Sequence, residues 1–249
     1  MAAHTKHYQT FTNRLLHLNA DLELVDIIDS AMKSGALTTC DEELFDALNE
    51  DKHVVLSNRT ASAHNRQIAI NHLRQSVYSS YIKDLYEEVT DFLHSALAEA
   101  ATQAQVDPGR FIGEHRVEVQ VPDILQAGKL QVLIEDIVAK MFRKLENERS
   151  TTSLINKSCS KLGLNVDQAI RDKAIYYLEI RHQLVHADGK ADALFKANHP
   201  DLAYTSDDYI DLRFKLIKNI REAVEAFIEE FDNQAITAGI NFSHNIPVA

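Results

Sequence analysis

The stretch Tyr78-Ser79-Ser80-Tyr81-Ile82-Lys83-Asp84-Leu85-Tyr86-Glu87-Glu88-Val89-Thr90-Asp91-Phe92-Leu93-His94-Ser95-Ala96 decides the fold class. Its apolar residues fall at Tyr78, Tyr81 and Ile82, Leu85, Val89, Phe92 and Leu93, and Ala96, and the series continues to Ala100, a step of three or four. Residues at that step share one face of an α-helix, whereas a half-buried strand alternates with period two. The pattern holds over residues 76–104, about eight turns at 3.6 residues each, and predicts one long helix with a buried face.

Working outward, residues 10–33 carry Leu15, Leu18, Leu22, Val25 and Ile28 or Ile27 at helical spacing, with Gly35 as a stop. Residues 41–49, with Leu44, Phe45 and Leu48, read as a short helix, and residues 61–74 as a more polar one. On the other side, Val106-Asp107-Pro108-Gly109 reads as a terminator, and Val117, Val119 and Val121 alternate in the one place where an extended segment fits. Pro122 suits a helix start, because its missing N–H would be unpaired there anyway. That helix is expected to reach residue 147, with Leu125, Leu130, Leu133, Ile134, Ile137, Val138, Met141, Phe142 and Leu145 facing inward. Residues 150–162 form a short helix closed by Gly163. Asp167 caps a further one that runs to about Ala187 and stops at Asp188-Gly189. The last helix spans about 207–234 through Leu212, Leu216, Ile220, Val224, Phe227 and Phe231. The expectation is all-α: an antiparallel helical bundle over 76–235, an additional N-terminal helical region over 1–75, and a tail over 236–249.

Composition agrees with that reading. Seven Gly and four Pro are too few for the turns that many short strands demand. At 249 residues and 45% hydrophobic content the chain can bury a core without metals or disulfides. Cys40 and Cys159 are too few for a disulfide framework, so free thiols in a reducing compartment are expected. No apolar run approaches the roughly 20 residues of a membrane helix, and residues 1–13 lack an apolar leader. A cytoplasmic protein is the expectation. The net charge of -11 speaks against bulk nucleic-acid binding. Residues 140–190 nevertheless hold ten Lys or Arg against six acids, a net +4 that leaves -15 for the rest of the chain. That segment is either a solvated helix face or a local attractor for a polyanion, with Lys144, Lys157, Lys173 and Lys190 as candidate RNA contacts.

The chemistry concentrates in Arg181-His182-Gln183-Leu184-Val185-His186. Arg181 interrupts the apolar stripe of Ile170, Ala174, Tyr177, Leu178, Leu184 and Val185. A guanidinium cannot shed its proton, so burial demands a carboxylate partner, a cleft or a subunit interface. In the stretch 81–88 the acids Asp84, Glu87 and Glu88 are candidate partners, or they form with Lys83 a solvated helix face. His182 and His186 are one helical turn apart. They can hold a metal, but the zinc-protease pattern needs Glu where Gln183 stands, and no third ligand is evident. Without a metal, a neutral imidazole can take the proton from a ribose 2′-OH near neutral pH, and a permanent cation can stabilise charge building on the phosphoryl oxygens. These residues therefore suit RNA cleavage. There is no Gly-rich phosphate loop, no Gly-x-Ser-x-Gly elbow and no paired Cys motif.

At these residues the sequence resembles the HEPN superfamily, whose signature is an Arg, four to six residues and a His, often with a polar residue directly after the Arg. Arg181, His182 and His186 match with four residues between. Ala187-Asp188-Gly189-Lys190 looks like the acidic-glycine turn that follows the motif helix in several members. The likeness covers about 76–234. It implies a helical bundle that dimerises and brings two Arg–His sites together, and metal-independent endoribonuclease activity of the kind found in bacterial toxins and antiviral defence effectors. Carried over by position, Arg181 and His186 are catalytic and His182 is the polar neighbour. RNA, a second copy of the chain and an antitoxin or defence protein are the implied partners, with no cofactor or metal. A subgroup controlled by nucleotide modification carries Tyr directly before the motif His; here that position is Val185. Inactive HEPN domains serve as dimerisation or RNA- and nucleotide-binding modules, which is the alternative reading.

Overall fold

The computed structural model describes residues 3–37, 51–53, 65–103, 106–113, 117–147, 150–240 and 246–247. The fold is all-α. In chain order it comprises α1 (Lys6–Ser34), α2 (Asn65–Thr102), α3 (Pro108–Ile112), α4 (Val121–Ala127), α5 (Leu130–Asn147), α6 (Thr151–Leu162), α7 (Gln168–Leu178), α8 (Ile180–His186), α9 (Ala193–Asn198) and α10 (Phe214–Thr237). A two-residue strand at each end, β1 (Ala3–His4) and β2 (Ile246–Pro247), pairs antiparallel. Among the described residues no helix is long and apolar enough to cross a membrane.

α2 is the axis of the molecule. Its 38 residues span about 57 Å at 1.5 Å per residue, and α1, α5, α6, α8 and α10 all pack on it. From Tyr78 to Ala100 only Ser80, Glu87 and Asp91 are exposed. The buried apolar arc is the expected one through Tyr78, Ile82, Leu85, Val89, Leu93, Ala96 and Ala100, widened by Leu97, while Lys83, Asp84, Glu88 and Ser95 on the other side are only partly exposed. The more polar helix expected over 61–74 is, from Asn65 onward, the first part of α2. A division of the chain at 75/76 therefore falls inside a helix. Phe11, Leu15, Leu22 and Val25 of α1 belong to the same core as Leu93, Phe227 and Phe231. The N-terminus is latched to α10: buried Asp232 accepts from the Thr5 amide at 3.2 Å and from the Thr5 hydroxyl, and faces His4 Nδ1 at 3.0 Å. Thr5 also caps α1, accepting from the Tyr8 amide.

Several boundaries differ from expectation, each for a local reason. Asp107-Pro108 starts α3 instead of merely ending α2, because the Asp107 carboxylate accepts from the Arg110 amide. Residues 117–120 pair with no strand. The helix expected over 122–147 is interrupted at Gly128, which adopts φ 63 and separates α4 from α5. Leu125 and Leu130, expected inside, are 77% and 73% exposed; the inner face begins in earnest at Val138 and continues through Met141, Phe142 and Leu145. The last helix starts at Phe214, since residues 204–210 instead form short bridges, Lys190 with Tyr209 and Tyr204 with Ile210. α6 matches expectation, capped by Ser150 and closed by Gly163 in the left-handed region. Cys159 is a free, buried cysteine whose burial pushes the thiol up to about 12. The helix expected over 41–49, and Cys40, lie outside the described residues.

Truncating the axis should be costly where the exposed hairpin is not. Leu93→Ala removes a fully buried side chain and should cost about 2–5 kcal/mol of unfolding free energy, while Leu125→Ala should stay within about 0.5 kcal/mol. Denaturant titration of both variants measures the contrast; equal losses would contradict the burial pattern.

Candidate functional site

The motif sits on a helix that breaks and restarts. Asp167 caps α7 as expected, accepting from the Ile170 amide. α7 ends at Leu178, and the His182 amide bonds back three residues to the Glu179 carbonyl at 3.0 Å, so α8 begins with a tightened turn. The Tyr176 carbonyl near the end of α7 meets a side chain instead of a backbone amide: His199 Nε2 lies 3.0 Å away. His199 is 2% exposed, its Nδ1 is 3.1 Å from the Phe195 carbonyl, and its ring stacks on Phe195 with centroids 4.0 Å apart. Sequence reasoning passed over His199. The signal was its spacing of four from Phe195 on an unrecognised helix.

α8 closes at Ala187, and the amides of Ala187 and Gly189 both donate to the Gln183 carbonyl. Gly189 takes φ 86, and a Cβ there would lie 3.3 Å from Leu184 Cδ2, so the turn requires glycine on both counts. Lys190 then pairs with Tyr209, and α9 returns beside α8, with Asp192 as its N-cap.

Between α8, α9 and the start of α6 lies a cleft of about 730 Å³ that takes in Arg181, His182 and His186 together. The Arg181 guanidinium carbon lies 4.7 Å from the centroid of the Tyr86 ring on α2. Among the described residues Arg181 has no carboxylate partner, and its buried Nε has no hydrogen-bond partner. The acids proposed for it are placed otherwise: Glu88 pairs with Arg14 at 2.9 Å, and Asp84 accepts from Ser80. The stretch meets Arg181 with its aromatic residue instead. A cation over an aromatic face is worth about 0.5–2 kcal/mol, and the guanidinium borders a cleft, one of the three solutions open to a semi-buried arginine.

His182 and His186 are both exposed, with ring centroids 4.6 Å apart and planes inclined at 49°. Glu179 and Asp192 line the same cleft; Glu179 Oε1 accepts from Thr152 Oγ1 at 3.3 Å. Arg181 is the one Lys or Arg among the lining residues. The four lysines expected to contact RNA are dispersed: Lys144 on α5, Lys157 on α6, Lys173 on α7 and Lys190 in the turn after α8. None lines the motif cleft. Lys190 lines an adjoining depression with Lys196, which pairs with Asp208. Among the described residues no group of three or more His, Cys, Asp or Glu side chains is placed to hold a metal ion.

No family model, curated protein or solved structure matches the chain. The functional reading therefore rests on the cleft itself.

If His199 holds the α7–α8 junction, His199→Ala should cost about 1–3 kcal/mol by leaving the Tyr176 carbonyl buried and unpaired. Exposed Asn198, its neighbour, should tolerate Ala within about 0.5 kcal/mol. Equal denaturation midpoints for the two variants would contradict the assignment.

Proposed function

We propose that the chain is a metal-independent endoribonuclease of HEPN type, with Arg181 and His186 as its catalytic pair and His182 as the polar neighbour. The observation that carries this reading is the Arg181 guanidinium, held on Tyr86 with no carboxylate partner among the described residues and bordering the same cleft as His186. An uncompensated planar cation beside an accessible imidazole is suited to a phosphodiester.

In the proposed reaction the His186 ring takes the proton of a ribose 2′-OH. The 2′-oxygen bonds to the adjacent phosphorus, and the bond to the 5′-oxygen of the next nucleotide breaks. Arg181 stabilises the charge that builds on the phosphoryl oxygens. The departing 5′-oxygen takes a proton from a second imidazole, which a symmetric second copy supplies. Support for a second copy comes from apolar surface beside the motif, Val185 at 40% exposure. A cytoplasmic toxin or antiviral effector, held in check by an antitoxin or defence partner, is the biological role this activity fits.

The second reading is an inactive HEPN-like module that dimerises or binds RNA or nucleotides without cutting. The presence of a single Lys or Arg among the described residues of the cleft, in a chain of charge -11, favours it.

Single substitutions separate the two. His186→Ala should lower the RNA cleavage rate by about 10²–10⁴ with the helical circular dichroism unchanged. Arg181→Ala should do the same or more, and cleavage by the native protein should persist in EDTA. Full activity in His186→Ala would end the assignment; activity abolished by the chelator would point to His182 and His186 as metal ligands.

A further inference from the structure

The cleft has two walls of different chemistry. One is α8, with Arg181, His182 and His186. The other is α9, which presents Leu194 and Asn198. These two lie four residues apart and so share a face of α9. The adjacent face, which meets the floor of the same cleft, is anchored: Phe195 and His199, also four apart, are buried and stacked, and Asp192 caps the first turn. Leu194 is 71% exposed although it lies on a fixed element inside a cleft. The Asn198 amide is exposed and has no hydrogen bond among the described residues. An apolar surface beside a free donor–acceptor pair matches a flat heterocycle with a polar edge.

Charge sharpens the point. RNA-binding affinity ordinarily comes from neutralising many phosphates. Among the described residues the lining offers one permanent cation against Glu179 and Asp192, and the four candidate lysines lie elsewhere. Phosphate contacts position a strand, and base contacts specify it. A cleft with one phosphate contact must draw its selectivity, and a large share of its affinity, from the base.

We propose that the Leu194–Asn198 face of α9 is a nucleobase-recognition subsite for single-stranded RNA, with Asn198 as the specificity-determining residue and adenine as the base it reads. This rests on the ribonuclease reading and deepens it. An Asn amide pairs bidentately with the N6/N7 edge of adenine, whereas a carboxylate only accepts and suits the N4 amino group of cytosine. Leu194 supplies the apolar surface against which the base lies.

The test is binding of fluorescently labelled single-stranded octamers of A, C, G and U to full-length His186→Ala protein, which separates recognition from cutting. The expected result is preference for the A octamer by about 5- to 100-fold. The affinity should fall with salt by a log–log slope of about -0.7, one single-strand phosphate's worth. Asn198→Asp should erase or invert the preference toward C, and Leu194→Ala should weaken binding of all octamers. Two results overturn the subsite and leave the ribonuclease reading standing: cleavage and binding with base preference unmoved by Asn198→Asp, or a slope of about -3 or steeper, which assigns RNA to the lysines outside the cleft. Absence of both cleavage by the native protein and binding of any octamer overturns the ribonuclease reading and the subsite together.

Discussion

Everything in this structure depends on the burial of α2. A helix whose apolar arc runs unbroken from Tyr78 to Ala100 has no stable place at a surface unless that arc is covered, and α1, α5, α6, α8 and α10 pack on it. That enclosure draws the N-terminal helix into the same core and explains why the latch of His4 and Thr5 onto Asp232 fastens the chain's start to its last long helix. The exposed side chains of the α4–α5 hairpin, by contrast, lie where the axis does not reach.

The same helix shapes the candidate site. Tyr86 belongs to α2, and its ring lies under the Arg181 guanidinium. The cation is thus held by the framework of the fold and not by a flexible loop. α8 is docked on α2 by Ile180 and Leu184, which are buried on either side of Arg181 in sequence, while His182 and His186 project away from that contact. A short helix can in this way present an arginine and two imidazoles in a fixed relation while sacrificing little packing. The enclosing wall, α9, is fixed by Phe195 and His199, which are buried and stacked on each other at the base of the cleft.

How much of this was legible in the sequence follows from the range of the interactions involved. Period, caps and glycine stops are local, so α1, α2, α6 and the Asp167 cap could be read from neighbouring residues. Gly128 was passed over because the apolar residues around it continue at helical spacing; only the left-handed backbone at that residue reveals the break. Leu125 and Leu130 fit an inward stripe by pattern alone, but whether a stripe is covered depends on partners distant in sequence. The α7–α8 junction depends on His199, more than twenty residues from the carbonyl it meets. For Arg181 the local argument narrowed the options to an acid, a cleft or an interface, and identified the right stretch of α2. It chose the charged residues there where the structure uses the aromatic one.

The most direct measure of the account is the chemistry of the ends produced when the purified protein cuts a defined single-stranded RNA, read by mass spectrometry. Attack by the ribose 2′-oxygen predicts a 2′,3′-cyclic phosphate on one fragment and a 5′-hydroxyl on the other. Fragments ending in a 3′-hydroxyl and a 5′-phosphate would show that water, not the ribose, attacks the phosphorus, and would contradict the roles given to Arg181 and His186.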